Sequence, residues 1–125
     1  MKISVAMATY NGAQYIEEQL ESIRIQTMPV DEVRICDDGS SDDTVEVICH
    51  YIREHGLESS WSVEVNQENL GYASNFMKAV GLTNGDYVFF CDQDDIWIAD
   101  RAERMIGLME AHPCLLYTSP SPRDG

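Results

Sequence analysis

Four short apolar runs of strand character alternate with four segments of helical period, and this alternation constrains the fold more tightly than any other property of the chain. The runs at 3–8, 32–36, 62–65 and 87–91 carry β-branched and aromatic residues and are bounded by turn-forming ones. Between them Ile16, Leu20 and Ile23 recur at helical spacing, as do Val45, Ile48, Cys49 and Ile52, then Phe76, Ala79 and Val80; Ala102, Met105, Ile106 and Met109 follow the last run. Each helix thus has one apolar stripe to lay on a sheet. Strict alternation predicts βαβ units: an α/β chain with a Rossmann-like, mostly parallel sheet and helices on both faces.

Local signals agree. Pro29 cannot continue the first helix, and Asn84-Gly85 makes a turn into the fourth strand. In "SSDDT", Ser40, Ser41 or Asp42 offers an N-cap for the second helix, with acid where the helix dipole favours it. Right-handed crossovers bring the carboxyl ends of all parallel strands to one edge of the sheet, and ligands of open α/β sheets bind at that edge.

Composition narrows the function classes. The chain has 125 residues, 44% of them hydrophobic, which suffices for one core. Its 22 acidic and 8 basic residues give a formal charge of -14, which repels a phosphate backbone and argues against nucleic-acid binding. No apolar run approaches the roughly 18 residues of a membrane span, and Met1-Lys2 leads directly into a strand, so a cytoplasmic location is the expectation. Cys36, Cys49, Cys91 and Cys114 are widely spaced, which fits thiols better than disulfides or zinc. His50, His55 and His112 fall on or beside helices, away from the ligand edge.

The segment after each strand is polar or contains glycine: "ATYNG", "CDDGSSDDT", "NQENLGY" and "CDQDDIW". Their shared location marks that edge as the site. Phe89, Phe90 and Cys91 read as a central strand, so the acids after it sit at the end of a rigid element. In an extended backbone Asp92 and Asp94 project to one side, where their repulsion calls for a cation; a hard divalent ion bridging to phosphate oxygens would supply it. Gln93 projects to the other side, and Asp95 supports the following turn. The plain alternative is a solvated strand-end cluster. Asp37-Asp38-Gly39 is either a simple turn or a site whose carboxylate accepts from the imide N–H of a pyrimidine. Tyr10 either stacks on a base or packs in the core. Gly71 allows close backbone approach or ends a turn, and Asn69 offers a side-chain donor or acceptor. Neither the phosphate-loop nor the dinucleotide glycine motif is present.

Taken in order, "VAMATYNG", "ICDDGSSDDT", "ENLGY" and "FFCDQDDIW" resemble the family-2 nucleotide-sugar glycosyltransferases of the A-type fold, especially bacterial rhamnosyltransferase-like enzymes of surface-polysaccharide synthesis. The resemblance covers residues 1–113, as the nucleotide-sugar-binding part of a truncated glycosyltransferase domain. It implies that Ala8, Thr9 and Tyr10 line the nucleotide pocket, that Asp38 contacts the base, and that Asn69 and Gly71 lie along the nucleotide. It places Asp92 and Gln93 on the donor side, with Asp94 the direct ligand of Mn2+ or Mg2+ and Asp92 its partner. The implied activity is inverting transfer from a UDP- or dTDP-sugar to a glycan or lipid-linked acceptor, at the cytoplasmic face of the membrane where a later segment associates with it. The family's general base and acceptor half would lie beyond residue 113, so no catalytic base is assigned and this piece alone is expected to be inactive.

Competing readings fit less well. A nucleotidyltransferase would carry a basic, glycine-rich loop after the first strand, and "ATYNGAQY" has no basic residue. A receiver-like module needs a lysine near its acid pocket, whereas Lys2 and Lys78 are the only lysines and neither reads as suitably placed. From Cys114 the run "CLLYTSPSPRD" resembles the conceptual translation of a transposase adapter used in sequencing libraries, so residues 114–125 are expected to be a non-native tail.

Overall fold

The computed structural model describes residues 1–92 and 95–111. Along the chain run β1 (Ile3–Thr9), α1 (Ile16–Arg24), β2 (Glu32–Asp37), α2 (Thr44–Glu54), β3 (Trp61–Val65), α3 (Tyr72–Gly81), β4 (Tyr87–Cys91) and α4 (Arg101–Ala111). The four strands form one parallel sheet in the order β3-β2-β1-β4. β1 and β2 run one residue further than their apolar runs, because Thr9 pairs with Asp37 and Asp37 with Val65 in continuous registers. β3 likewise starts at Trp61, opposite Val33.

Side-chain alternation divides the sheet into two unlike faces. Val5, Met7, Val33, Ile35, Phe89 and Cys91 join Ile16, Leu20, Ile23, Ile48, Ile52, Ala102 and Ile106, so α1, α2 and α4 share the larger core. On the opposite face Ala6, Cys36, Ala79 and Val88 make a small core under α3, which packs on β1 and β2. Ala6, fully buried, packs in this core with Ala79 of α3. The space left beside it at the carboxyl edge forms a cleft.

Phe89 and Cys91 are buried, and among the described residues β4 pairs with β1. Trp97 packs against Phe89, and Phe76 of α3 stacks on Phe90. One local expectation is corrected, at the start of α2. The N-cap position there belongs to Asp43, whose side chain makes no capping bond. Asp42, one residue earlier, accepts instead from the Thr44 amide at 3.0 Å and from the Thr44 hydroxyl. Asp42 thereby satisfies an amide of the first turn from outside the helix. Among the described residues, no helix is long and apolar enough to cross a membrane.

Candidate functional site

At the carboxyl edge the adjacent acids Asp37 and Asp38 point to opposite faces and take different partners. Asp37 is saturated: Oδ1 accepts from the Thr9 hydroxyl at 2.7 Å and the Ser40 hydroxyl at 2.6 Å, and Oδ2 from the Gly39 and Ser40 amides at 3.1 and 2.7 Å. It ties β1 to the β2–α2 turn, in which Gly39 has φ 87°. The β1–α1 loop is fastened to the same turn. Asn11, at φ 51°, accepts from the Ser41 amide at 2.8 Å, while the Gly12 amide donates to the Thr44 hydroxyl at 2.8 Å.

Asp38 instead gathers the β3–α3 loop. Its Oδ1 accepts from Asn66 Nδ2 at 2.9 Å and the Leu70 amide at 2.7 Å, and its Oδ2 from the Gly71 amide at 3.0 Å. Asn69 Nδ2 donates to the Asp38 carbonyl at 2.7 Å. Burial pushes the Asp38 carboxyl up, but these donors outweigh it and hold the group below the usual carboxylate range. Gly71, at φ 88°, occupies the N-cap position of α3, so it shapes the turn while its amide serves Asp38.

Ala8, Thr9, Tyr10, Asp38, Asn69 and Gly71, the six nucleotide-side residues expected from the sequence before β4, meet around one cleft of about 240 Å³. Tyr10 is 46% exposed there, which excludes the core-packing alternative. Tyr72 and Asn75 complete the lining, and neither stood out in the sequence. The hydroxyl of Tyr72 donates to Asp92, which links the cleft to the first acid after β4. Gln93 and Asp94 lie outside the described residues, as does His112. His50 and His55 lie on and just after α2 beside Glu54.

The segment after β4 is held along α1 by side chains that sequence reasoning missed. Buried Gln19 donates Nε2 to the Asp92 carbonyl, and the Ser22 hydroxyl accepts from the Trp97 amide at 3.0 Å. Gln26 donates to the Ile98 carbonyl at 2.7 Å and accepts from the Ala102 amide at 2.9 Å. Gln19 and Ser22 lie beside the apolar stripe of α1 and Gln26 follows just past its end, and that spacing was the available signal. They satisfy the backbone of an irregular segment that enters the core at Trp97.

Among the described residues no group of three His, Cys, Asp or Glu side chains is arranged to hold a metal. The described donors nonetheless suit a hard divalent ion. Asp92 is a half-buried carboxylate at a strand end, and Asp95 Oδ2 is buried without a hydrogen-bond partner among the described residues. Burial pushes the Asp95 carboxyl up; Arg101 opposes and Asp92 reinforces that shift. The Cys91 thiol is pushed up to about 12 by burial, which makes it a poor nucleophile.

Comparison with known proteins places this geometry. The family model described as Glycosyl transferase family 2 matches residues 4–124, a span that includes the Ser- and Pro-rich tail. The dTDP-rhamnosyl transferase RfbG of Shigella flexneri is 38% identical over 117 residues, covering 90% of this chain and 40% of that protein. The putative teichuronic acid biosynthesis glycosyltransferase TuaG of Bacillus subtilis is 33% identical over 112 residues, covering 90% of this chain and 43% of that protein. The chain therefore spans less than half the length of these relatives. S. aureus TarS 1-349 in complex with UDP superposes with a TM-score of 0.77 at 29% identity, over 90% of this chain and 33% of that one. The mannosyltransferase PcManGT of Pyrobaculum calidifontis, in complex with GDP-Man and Mn2+, gives 0.72 at 30% identity, over 78% and 29%. The parallel sheet and its helices have the A-type glycosyltransferase fold of these neighbours, and the chain belongs to glycosyl transferase family 2.

Proposed function

We propose that this chain is the donor-binding part of an inverting, metal-dependent glycosyltransferase that takes a UDP- or dTDP-sugar and serves a glycan or lipid-linked acceptor in cell-envelope synthesis. The observation that carries the reading is the state of Asp38. A carboxylate oxygen has two acceptor directions; among the described residues Oδ1 has two donors and Oδ2 has one, so one direction on Oδ2 is left for a ligand. Uracil and thymine each present an imide N–H that matches it. Tyr10 lies half-exposed on the same cleft and supplies a ring for stacking.

The diphosphate would run from this cleft toward the end of β4, past Tyr72, to Asp92. Asp92 and Asp94 would hold a divalent ion, and such an ion supplies charge stabilisation to the departing nucleoside diphosphate. Gln19 and Tyr72 fix Asp92, one through its carbonyl and the other through its carboxylate. The general base, the acceptor half and any segment that meets the cytoplasmic face of a membrane are assigned to sequence beyond residue 113. RfbG is named as a dTDP-rhamnosyl transferase and the TarS structure holds UDP, which supports a pyrimidine donor here, whereas the PcManGT structure holds GDP-Man.

Thermal denaturation with and without UDP and Mn2+ tests the reading. A ligand that binds only the folded state raises the melting temperature by mass action, so millimolar UDP with Mn2+ is expected to give a rise of several degrees. Asp94→Ala should remove the metal-dependent part of that rise. Asp42→Ala, which touches only the start of α2 and the Ala13 amide, should lower the melting temperature slightly and leave the ligand-induced rise intact. No rise in the unaltered chain would remove the donor site from consideration.

A further inference from the structure

Beneath the cleft lies a buried polar relay that the motifs do not account for. Asn66, at the end of β3, is 6% exposed, and Asn75, on α3, is 1% exposed. Asn66 Nδ2 donates to Asp38 Oδ1 at 2.9 Å and to Asn75 Oδ1 at 2.7 Å, so both amide protons are used. Asn75 Nδ2 in turn donates to the Cys36 carbonyl at 2.8 Å. A buried amide can be turned end for end, and the reversed Asn66 would set its oxygen against the Asp38 carboxylate. The direction is fixed from both sides: the Asp38 carboxylate only accepts, and Lys78 Nζ lies 2.7 Å from Asn66 Oδ1. An ammonium only donates, so the amide oxygen must face it and the amide nitrogen must face Asp38.

We propose that Lys78 is a positioning residue for the nucleotide site: together with the Asp38 carboxylate it sets the donor–acceptor direction of the Asn66–Asn75 pair and so holds Asp38 with one Oδ2 acceptor direction turned to a base imide. The inference rests on the donor-site reading of the cleft. Glu64 Oε1, 3.3 Å from Nζ, holds the ammonium from the outer side, and the Asn66 amide is anchored on the Asp37 carbonyl at 2.8 Å. Neither of those contacts carries direction to Asp38; the Asn66 side chain does. Lys78 sits one turn along α3 from the cleft-lining Asn75, and its side chain is 34% exposed. It can therefore be replaced without opening the core.

The test is calorimetric titration of the chain with UDP and with CDP, both with Mn2+. Cytosine presents an acceptor where uracil presents its imide N–H, so an open acceptor on Asp38 favours UDP, by roughly tenfold or more for a hydrogen bond to a charged group. Lys78→Met keeps the apolar stem and deletes the cation; it is expected to weaken UDP by about tenfold and bring the UDP-to-CDP ratio toward one. Lys78→Arg should restore the ratio, and Asn66→Asp, which cannot donate to Asp38, should lose it as Lys78→Met does. An unaltered chain without preference for UDP overturns the donor-site reading together with this one. A preference that survives in Lys78→Met and in Asn66→Asp overturns the relay alone.

Discussion

Asp38→Ala is expected to abolish UDP binding and to lower the unfolding free energy by about 3 kcal/mol, the scale of several buried donors losing a charged acceptor. Asn66 Nδ2 and the amides of Leu70 and Gly71 would lose their partner together, and with them the fold of the loop that forms one wall of the cleft. The two effects can be separated. Asp38→Asn retains one side-chain acceptor and nearly the same volume, so it should recover part of the stability but little UDP affinity, since an amide nitrogen cannot accept from an imide. Urea denaturation and UDP titration of the same preparations read both. An Asp38→Ala chain that binds UDP within twofold of the unaltered one would remove Asp38 from the base contact.

The same residue predicts a pH signature. Because the folded-state pKa of Asp38 is depressed, its contribution to stability is complete above the ordinary carboxylate range and is lost as the pH falls through the lower folded value. Stability curves of the unaltered chain and Asp38→Ala should run parallel from neutral pH down to about pH 4.5 and converge below it. Glu21, Glu32 and Asp42 are also depressed, so both proteins weaken in acid; the shrinking difference between them isolates Asp38.

How far this site could be read from sequence depended on the range of the forces that build it. The strands, the helices and the gathering of four polar loops at one edge follow from local periodicity and the handedness of crossovers, and they are legible in the chain. The division of labour between Asp37 and Asp38 was half legible. Alternation sends neighbours to opposite faces, but only the fold shows that Thr9 and Ser40 saturate Asp37 while, among the described residues, Asn66 and the β3–α3 loop occupy three of the acceptor directions of Asp38. Gln19 and Lys78 were missed because each acts on a partner brought to it by folding. Gln19 meets a carbonyl 73 residues away, and Lys78 acts on Asp38 through a second side chain.

Gly85→Ala should destabilise the fold by about 3 kcal/mol while leaving the cleft intact, since it acts at the opposite edge of the sheet. The dipeptide Asn84-Gly85 announces a turn, but the demand for glycine comes from another strand. A Cβ at position 85 would overlap Ser4 Oγ and stand 2.9 Å from both the Ser4 amide nitrogen and the Tyr87 carbonyl oxygen. Two of these atoms are sheet backbone and cannot give. The third is held as well: Ser4 Oγ donates to Glu32 Oε2 at 2.5 Å, and that oxygen also accepts from the Asn84 amide at 2.5 Å. Glu32 is 2% exposed and paired with Arg34 at 2.9 Å; burial pushes its carboxyl up, but the Ser4, Asn84 and Arg34 contacts together bring it below the usual range. Displacing Ser4 therefore takes a donor from a buried carboxylate as well as crowding the start of β4. Ser4→Ala removes the closest clash, so the double variant should be more stable than the sum of the two single losses, by an amount that urea denaturation reads as a coupling energy. UDP affinity measured on the folded fraction of Gly85→Ala should match the unaltered chain. Unchanged stability in Gly85→Ala would mean that β1 and β4 can separate at this edge, against the close approach that fixes their register from Ile3 and Tyr87 onward.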